Sequence, residues 1–120
     1  MLRWWTEPPR IAVLTLGWAA IILFLSALPG RDLPQVDLLH ADKLAHLLVY
    51  LILQVLIALW LVHVCADTAI LTSVVLATLY GIAMEAMQHL FFEERFFDWY
   101  DALANFLGAL LGIVIFKLIR

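Results

Sequence analysis

LAHLLVYLILQVLIALWLVHVCADTAILTSVVLATLYGIAM, residues 44–84, decides the fold. Its sole acidic residue is Asp67, and it holds no lysine or arginine. On either side of Cys65-Ala66-Asp67 lies an apolar run carrying no formal charge apart from the histidines His46 and His63. Each run approaches the ~20 residues that a helix needs to cross a bilayer core. Neither run alternates apolar and polar residues as a transmembrane β-strand does. A segment in hydrocarbon must satisfy its own backbone polar groups, so both runs read as helices, joined by a tight turn.

The same reading extends outward. Ile11 to Gly30 carries no charge, and Ala102 to Phe116 carries none, with Asn105 as its one strongly polar residue. The predicted spans are 10–28, 43–64, 68–90 and 99–119. The fold class is therefore all-α: a polytopic membrane protein built as a four-helix transmembrane bundle, with residues 1–120 as a single domain. Composition agrees. Of 120 residues, 66% are hydrophobic and 14% charged, against about 45–50% and 25% in a soluble domain. A chain this small cannot bury that much apolar surface in an aqueous core.

Other classes fall away. A formal charge of −3 gives no polycationic footprint for nucleic acid. Cys65 is the only cysteine, so neither an intrachain disulfide nor a thiolate metal site can form. The first apolar run is longer than a signal-peptide core, and Pro29 suits cleavage poorly, so it reads as a span. Pro29-Gly30 reads as the stop of the first helix and Asp67 as an N-cap for the third. The stretch FFEERFF, residues 91–97, reads as interfacial, as do Trp4, Trp5, Trp99 and Tyr100.

Four spans place both termini on one side. The termini carry Arg3, Arg10, Lys117 and Arg120; the opposite side carries Arg31, Lys43 and Arg95. Lys43 and Arg95 have acidic neighbours, which makes them site candidates and removes them from the count. The positive-inside rule then puts both termini in the cytoplasm of a cell inner (plasma) membrane.

On that topology the unusual polar residues collect at one end. Ser26 lies near the end of helix one. Asp42, Lys43 and His46 open helix two. Glu85, Gln88 and His89 close helix three. Arg95 and Asp98 follow, and Asp101 and Asn105 open helix four. Asp42, His46 and Tyr50 share a helical face, as do Gly81, Glu85 and Gln88. Asp98, Asp101, Asn105, Gly108 and Gly112 form a seam whose small residues admit a close neighbour, which turns its polar part inward. Ionisable groups in a span are costly unless paired or hydrated, and so they point to function.

The residue types suggest roles. His46, Glu85, Asp98 and Asp101 suit acid–base work; His46, Glu85 and Asp101 also suit a divalent metal as cofactor. Lys43 and Arg95 suit a phosphate or carboxylate, and Asp42, Ser26, Tyr50, Gln88 and Asn105 would line or orient its site. Gly81, Gly108 and Gly112 read as helix-packing residues. No activated nucleophile is evident. The alternatives are a scaffold whose network only locks the helices and a proton- or ion-linked transporter. Polar groups confined to one end disfavour transport.

Taken in order, SALPG (26–30), DKLAHLLVY (42–50), YGIAMEAMQHLF (80–91), then Arg95, Asp98 and DALANFLGALLG (101–112) resemble the VanZ-like family. That family takes its name from a protein linked to resistance to the antibiotic teicoplanin. The similarity runs from about Ser26 to Gly112. The segment FFEERFFDWYD (91–101) departs from the family pattern, which commonly has Gly or Pro near the arginine. The resemblance implies a small helical membrane protein and names no reaction. Its motifs suggest an extracytoplasmic pocket for a polar envelope component, a lipid-linked phosphate or peptidoglycan precursor. Expected partners are the lipid bilayer, a lipid-linked anionic ligand and, through an exposed small-residue seam, a second copy.

Overall fold

The computed structural model describes residues 7–27, 39–91 and 99–119, with side chains of the middle stretch from Lys43 onward. Four helices account for almost all of them: α1 Pro8–Ser26, α2 Leu39–Leu61, α3 Ala69–Phe91 and α4 Trp99–Ile119. All four are long and apolar enough to cross a membrane. At 1.5 Å per residue they span about 29–35 Å, close to the ~30 Å of a hydrocarbon core. The molecule measures 43 × 23 × 22 Å.

Local chemistry explains several helix ends. Pro8 and Pro9 occupy the first turn of α1, where a missing N–H is harmless and a fixed φ helps. Asp101 sits in the first turn of α4 and Lys117 in its last, each opposing the local end of the helix dipole. α2 starts four residues before the predicted boundary and stops three before it, as the chain turns at 62–64. A 3-10 turn, Ala66–Thr68, then leads into α3. Asp67 lies inside that turn, so it does not hold the N-cap position expected for it. The tighter i→i+3 geometry, closed by Thr68 N–H donating to Cys65 O at 3.1 Å, brings the chain around in fewer residues. The expected stop at Pro29-Gly30 and the stretch 92–97 lie outside the described residues.

α2 is the hub. α4 packs along it most extensively, α3 packs against both, and α1 lies on α2 and more lightly on α3. Small residues allow the close approach of α4. A Cβ at Gly108 would collide with Leu47 O, and one at Gly112 would collide with Gln54 Oε1. The polarity of a soluble protein is inverted. α4 buries Ala104, Asn105, Gly108, Ala109, Gly112 and Phe116 and turns leucines such as Leu103, Leu111 and Leu118 outward. Helices in lipid gain little from hiding leucine, so small and polar residues define the contacts.

The core has two apolar zones. One surrounds Ile22, Tyr50, Leu53, Val74, Ala77 and Ala109. The other, near the chain termini, joins Ile11, Val55, Ala58, Leu59 and Phe116. Between them Gln54, wholly buried, donates from Nε2 to Ser73 Oγ at 2.8 Å, and the Ser73 hydroxyl donates to Ile70 O at 2.7 Å.

Candidate functional site

The site lies at the end where α1 and α3 finish and α2 and α4 begin. Three helices each bring one ionisable side chain to it from near their ends: His46 from α2, Glu85 from α3 and Asp101 from α4. His46 Nε2 stands 3.7 Å from Asp101 Oδ2 and 3.9 Å from Glu85 Oε1. One ligand-capable atom from each of the three lies within 4.8 Å of the others. Lys43, one turn nearer the start of α2, forms an ion pair with Asp101. Glu85 is buried, while His46, Lys43 and Asp101 are partly exposed at the mouth.

One turn deeper on each helix lies a second layer. His46 is followed by Tyr50, Glu85 is preceded by Gly81, and Asp101 is followed by Asn105. These three lie against one another. A Cβ at Gly81 would meet Asn105 Nδ2 at 2.9 Å and Tyr50 Cε1 at 3.2 Å. The missing side chain at Gly81 is thus the slot that holds Asn105. Asn105 is 2% exposed, and its Oδ1 has no hydrogen-bond partner among the described residues. Helix side chains lean toward the helix N-terminus, so Asn105 leans from below toward Asp101 and the three ionisable groups.

Other sequence candidates sit differently. Gln88 is buried, and its Nε2 donates to the main-chain carbonyl of Ser26 at 3.2 Å. The pair ties α3 to α1, and Ser26 takes part through its backbone. Gly108 and Gly112 lie against α2, away from the charged cluster. The side chain of Asp42, and Arg95 and Asp98 entirely, fall outside the described residues.

Two contributions have no signature along the chain. Residue type places Lys43 among the anion-holding groups, yet its partner across the bundle is Asp101, 58 positions away. Gly81 carries the pattern of a packing residue, yet its effect is to admit Asn105. Spacing along one helix cannot reveal a pairing between two helices. The one hint for Gly81 is its place a turn from Glu85.

Comparison with known proteins settles the family. The VanZ/LLP1 family model matches residues 11–120, nearly the whole chain. The protein belongs to the VanZ/LLP1 family. No curated protein and no solved structure matches it. Membership in VanZ/LLP1 agrees with the four membrane-capable helices. The residues matched include all those of the cluster, so the cluster lies inside the VanZ/LLP1 region of the chain.

Proposed function

We propose that this VanZ/LLP1 protein is a single-domain, multi-pass membrane protein that binds or modifies the polar, anionic part of a lipid-borne envelope component. The site would face away from the cytoplasm in the plasma membrane. One observation carries the reading: His46, Glu85 and Asp101 converge from three helices at one end, beside Lys43. Their separations of 3.7 and 3.9 Å are too long for direct hydrogen bonds. A mouth at the end of the spans lies at the depth of phosphate headgroups, and a helix N-terminus, that of α4, favours negative charge there. Lys43 would hold the anion as a point charge, with Arg95 as a second cation. His46, with Glu85, Asp98 and Asp101, supplies acid–base capacity, and Asp42, Tyr50, Gln88 and Asn105 would shape the surrounding wall.

The test is binding of a short-chain prenyl phosphate to the purified protein, with the matching prenol and inorganic phosphate alongside. Preference for the prenyl phosphate over both, weakened at least about tenfold by Lys43→Gln, is the expected result. Equal binding of phosphate and alcohol would sink the proposal. The Lys43–Asp101 ion pair favours a second reading, in which the network only fixes helix register. There the substitution would lower stability, and the protein would discriminate no headgroup.

A further inference from the structure

We infer that His46, Glu85 and Asp101 hold a divalent transition-metal ion of the zinc or manganese class, which supplies the positive charge that an anion at this mouth requires. The ion centre deepens the headgroup reading and rests on it for its purpose, though not for its geometry.

The first observation is the donor set. One imidazole nitrogen and two carboxylate oxygens are borderline-to-hard ligands that suit zinc or manganese. They come from three separate helices, so the three donors surround a common point, and no local motif is needed. Donor atoms bound to a tetrahedral zinc at 2.0–2.1 Å lie about 3.3–3.4 Å from one another. The observed 3.7 and 3.9 Å from His46 lie within about 0.6 Å of that spacing, and all three ligand atoms lie within 4.8 Å of one another, so side-chain movement alone would close the set.

The second observation is independent of the cluster. Asn105 is wedged into the Gly81 slot one turn below, almost fully buried, with Oδ1 unsatisfied among the described residues. A buried carbonyl oxygen without a donor is costly, by about 1–3 kcal/mol in proteins. Water on an ion held above it would provide that donor, and Asn105 would fix the ion's outer shell.

The third is charge. Glu85 and Asp101 bring two carboxylates to the mouth. A divalent ion held between them would offset their repulsion of a phosphate. Lys43 then becomes the partner of the anion's outer oxygens, since the ion competes with it for Asp101. Three protein ligands leave the ion an open position toward the mouth, the pattern of ions that bind an exchangeable group.

The experiment uses the full chain, purified in detergent, stripped with chelator and titrated with zinc(II), with cobalt(II) as the optical probe. About one equivalent should bind, with a visible cobalt(II) band displaced by zinc(II). His46→Gln, Glu85→Gln and Asp101→Asn should each weaken binding at least about tenfold, and Asn105→Ala should do so by roughly ten- to a hundredfold. His89→Ala should leave it unchanged. Melting curves recorded without metal separate lost ligands from lost folding, and the cobalt(II) band of the unmodified protein stands whatever the variants do. No stoichiometric binding by the unmodified protein, or binding that survives all three ligand substitutions, would overturn the ion centre. Prenyl phosphate and inorganic phosphate are then titrated with and without zinc(II). Metal-independent prenyl phosphate binding refutes the ion's part in holding the anion and keeps the headgroup reading. Zinc(II) binding that leaves affinity for both phosphates at zero refutes the headgroup reading and keeps the ion centre.

Discussion

At the residue scale, glycines divide by what stands opposite them. Gly108 faces the Leu47 carbonyl, a backbone atom that cannot step aside. Gly108→Ala should therefore separate α4 from α2 and cost about 1–3 kcal/mol of stability in thermal unfolding. Gly17 faces open space within α1. Gly17→Ala should be neutral or stabilising by up to about 1 kcal/mol, because alanine orders a helix at lower entropy cost. Equal losses for both would refute the packing assigned to α4. The seam holding Asp101, Asn105, Gly108 and Gly112 is legible from its spacing alone, because a helix face repeats. What each member touches is not. Lys43 finding Asp101, and Asn105 filling the Gly81 slot, depend on how helices distant in sequence are set side by side.

At the element scale, the spans are legible because an apolar run of bilayer length without charge suits a membrane helix and little else. Their ends are less so. Asp67 has the residue type and position of an N-cap, but a 3-10 turn places it one step too early. Helix α1 is the least embedded element. Side chains tie it to its neighbours: Trp18 Nε1 donates to Val49 O at 3.0 Å, and Tyr80 OH donates to Ala19 O at 2.5 Å. Gln88 adds its bond to Ser26. Hydrogen bonds between membrane helices contribute about 0.6 kcal/mol each on average. Trp18→Phe combined with Tyr80→Phe should weaken α1 attachment by about 1 kcal/mol, or roughly a fivefold change in population. Hydrogen exchange should then quicken in α1 and not in α4. Uniform acceleration across all helices would show that α1 is no separable layer.

For the whole molecule, polarity declines steadily along the bundle. The charged mouth gives way to Tyr50 and Asn105, then to the buried Gln54–Ser73 pair. Beyond it, Ile11, Val55, Ala58, Leu59 and Phe116 fill the terminal half. Beside that cluster Thr15 is buried with its hydroxyl donating to Ile11 O at 2.7 Å, and none of the buried polar side chains described there is ionisable, so liposomes containing the protein should pass neither protons nor cations above background. Flux abolished by Glu85→Gln would contradict this and revive the transporter reading. The positive-inside rule predicts that a reporter joined after Arg120 reports from the cytoplasm; an extracytoplasmic signal would turn the mouth inward. Whether the charged cluster exists to act or only to hold the helices is the central question. Thermal unfolding of Glu85→Gln in lipid nanodiscs, with chelator present, addresses it most directly. Groups kept for function commonly cost stability, while breaking a buried structural pair costs about 3–5 kcal/mol. A melting temperature at or above that of the unmodified protein is expected; a loss of that size would contradict a functional site and leave the network as a helix lock.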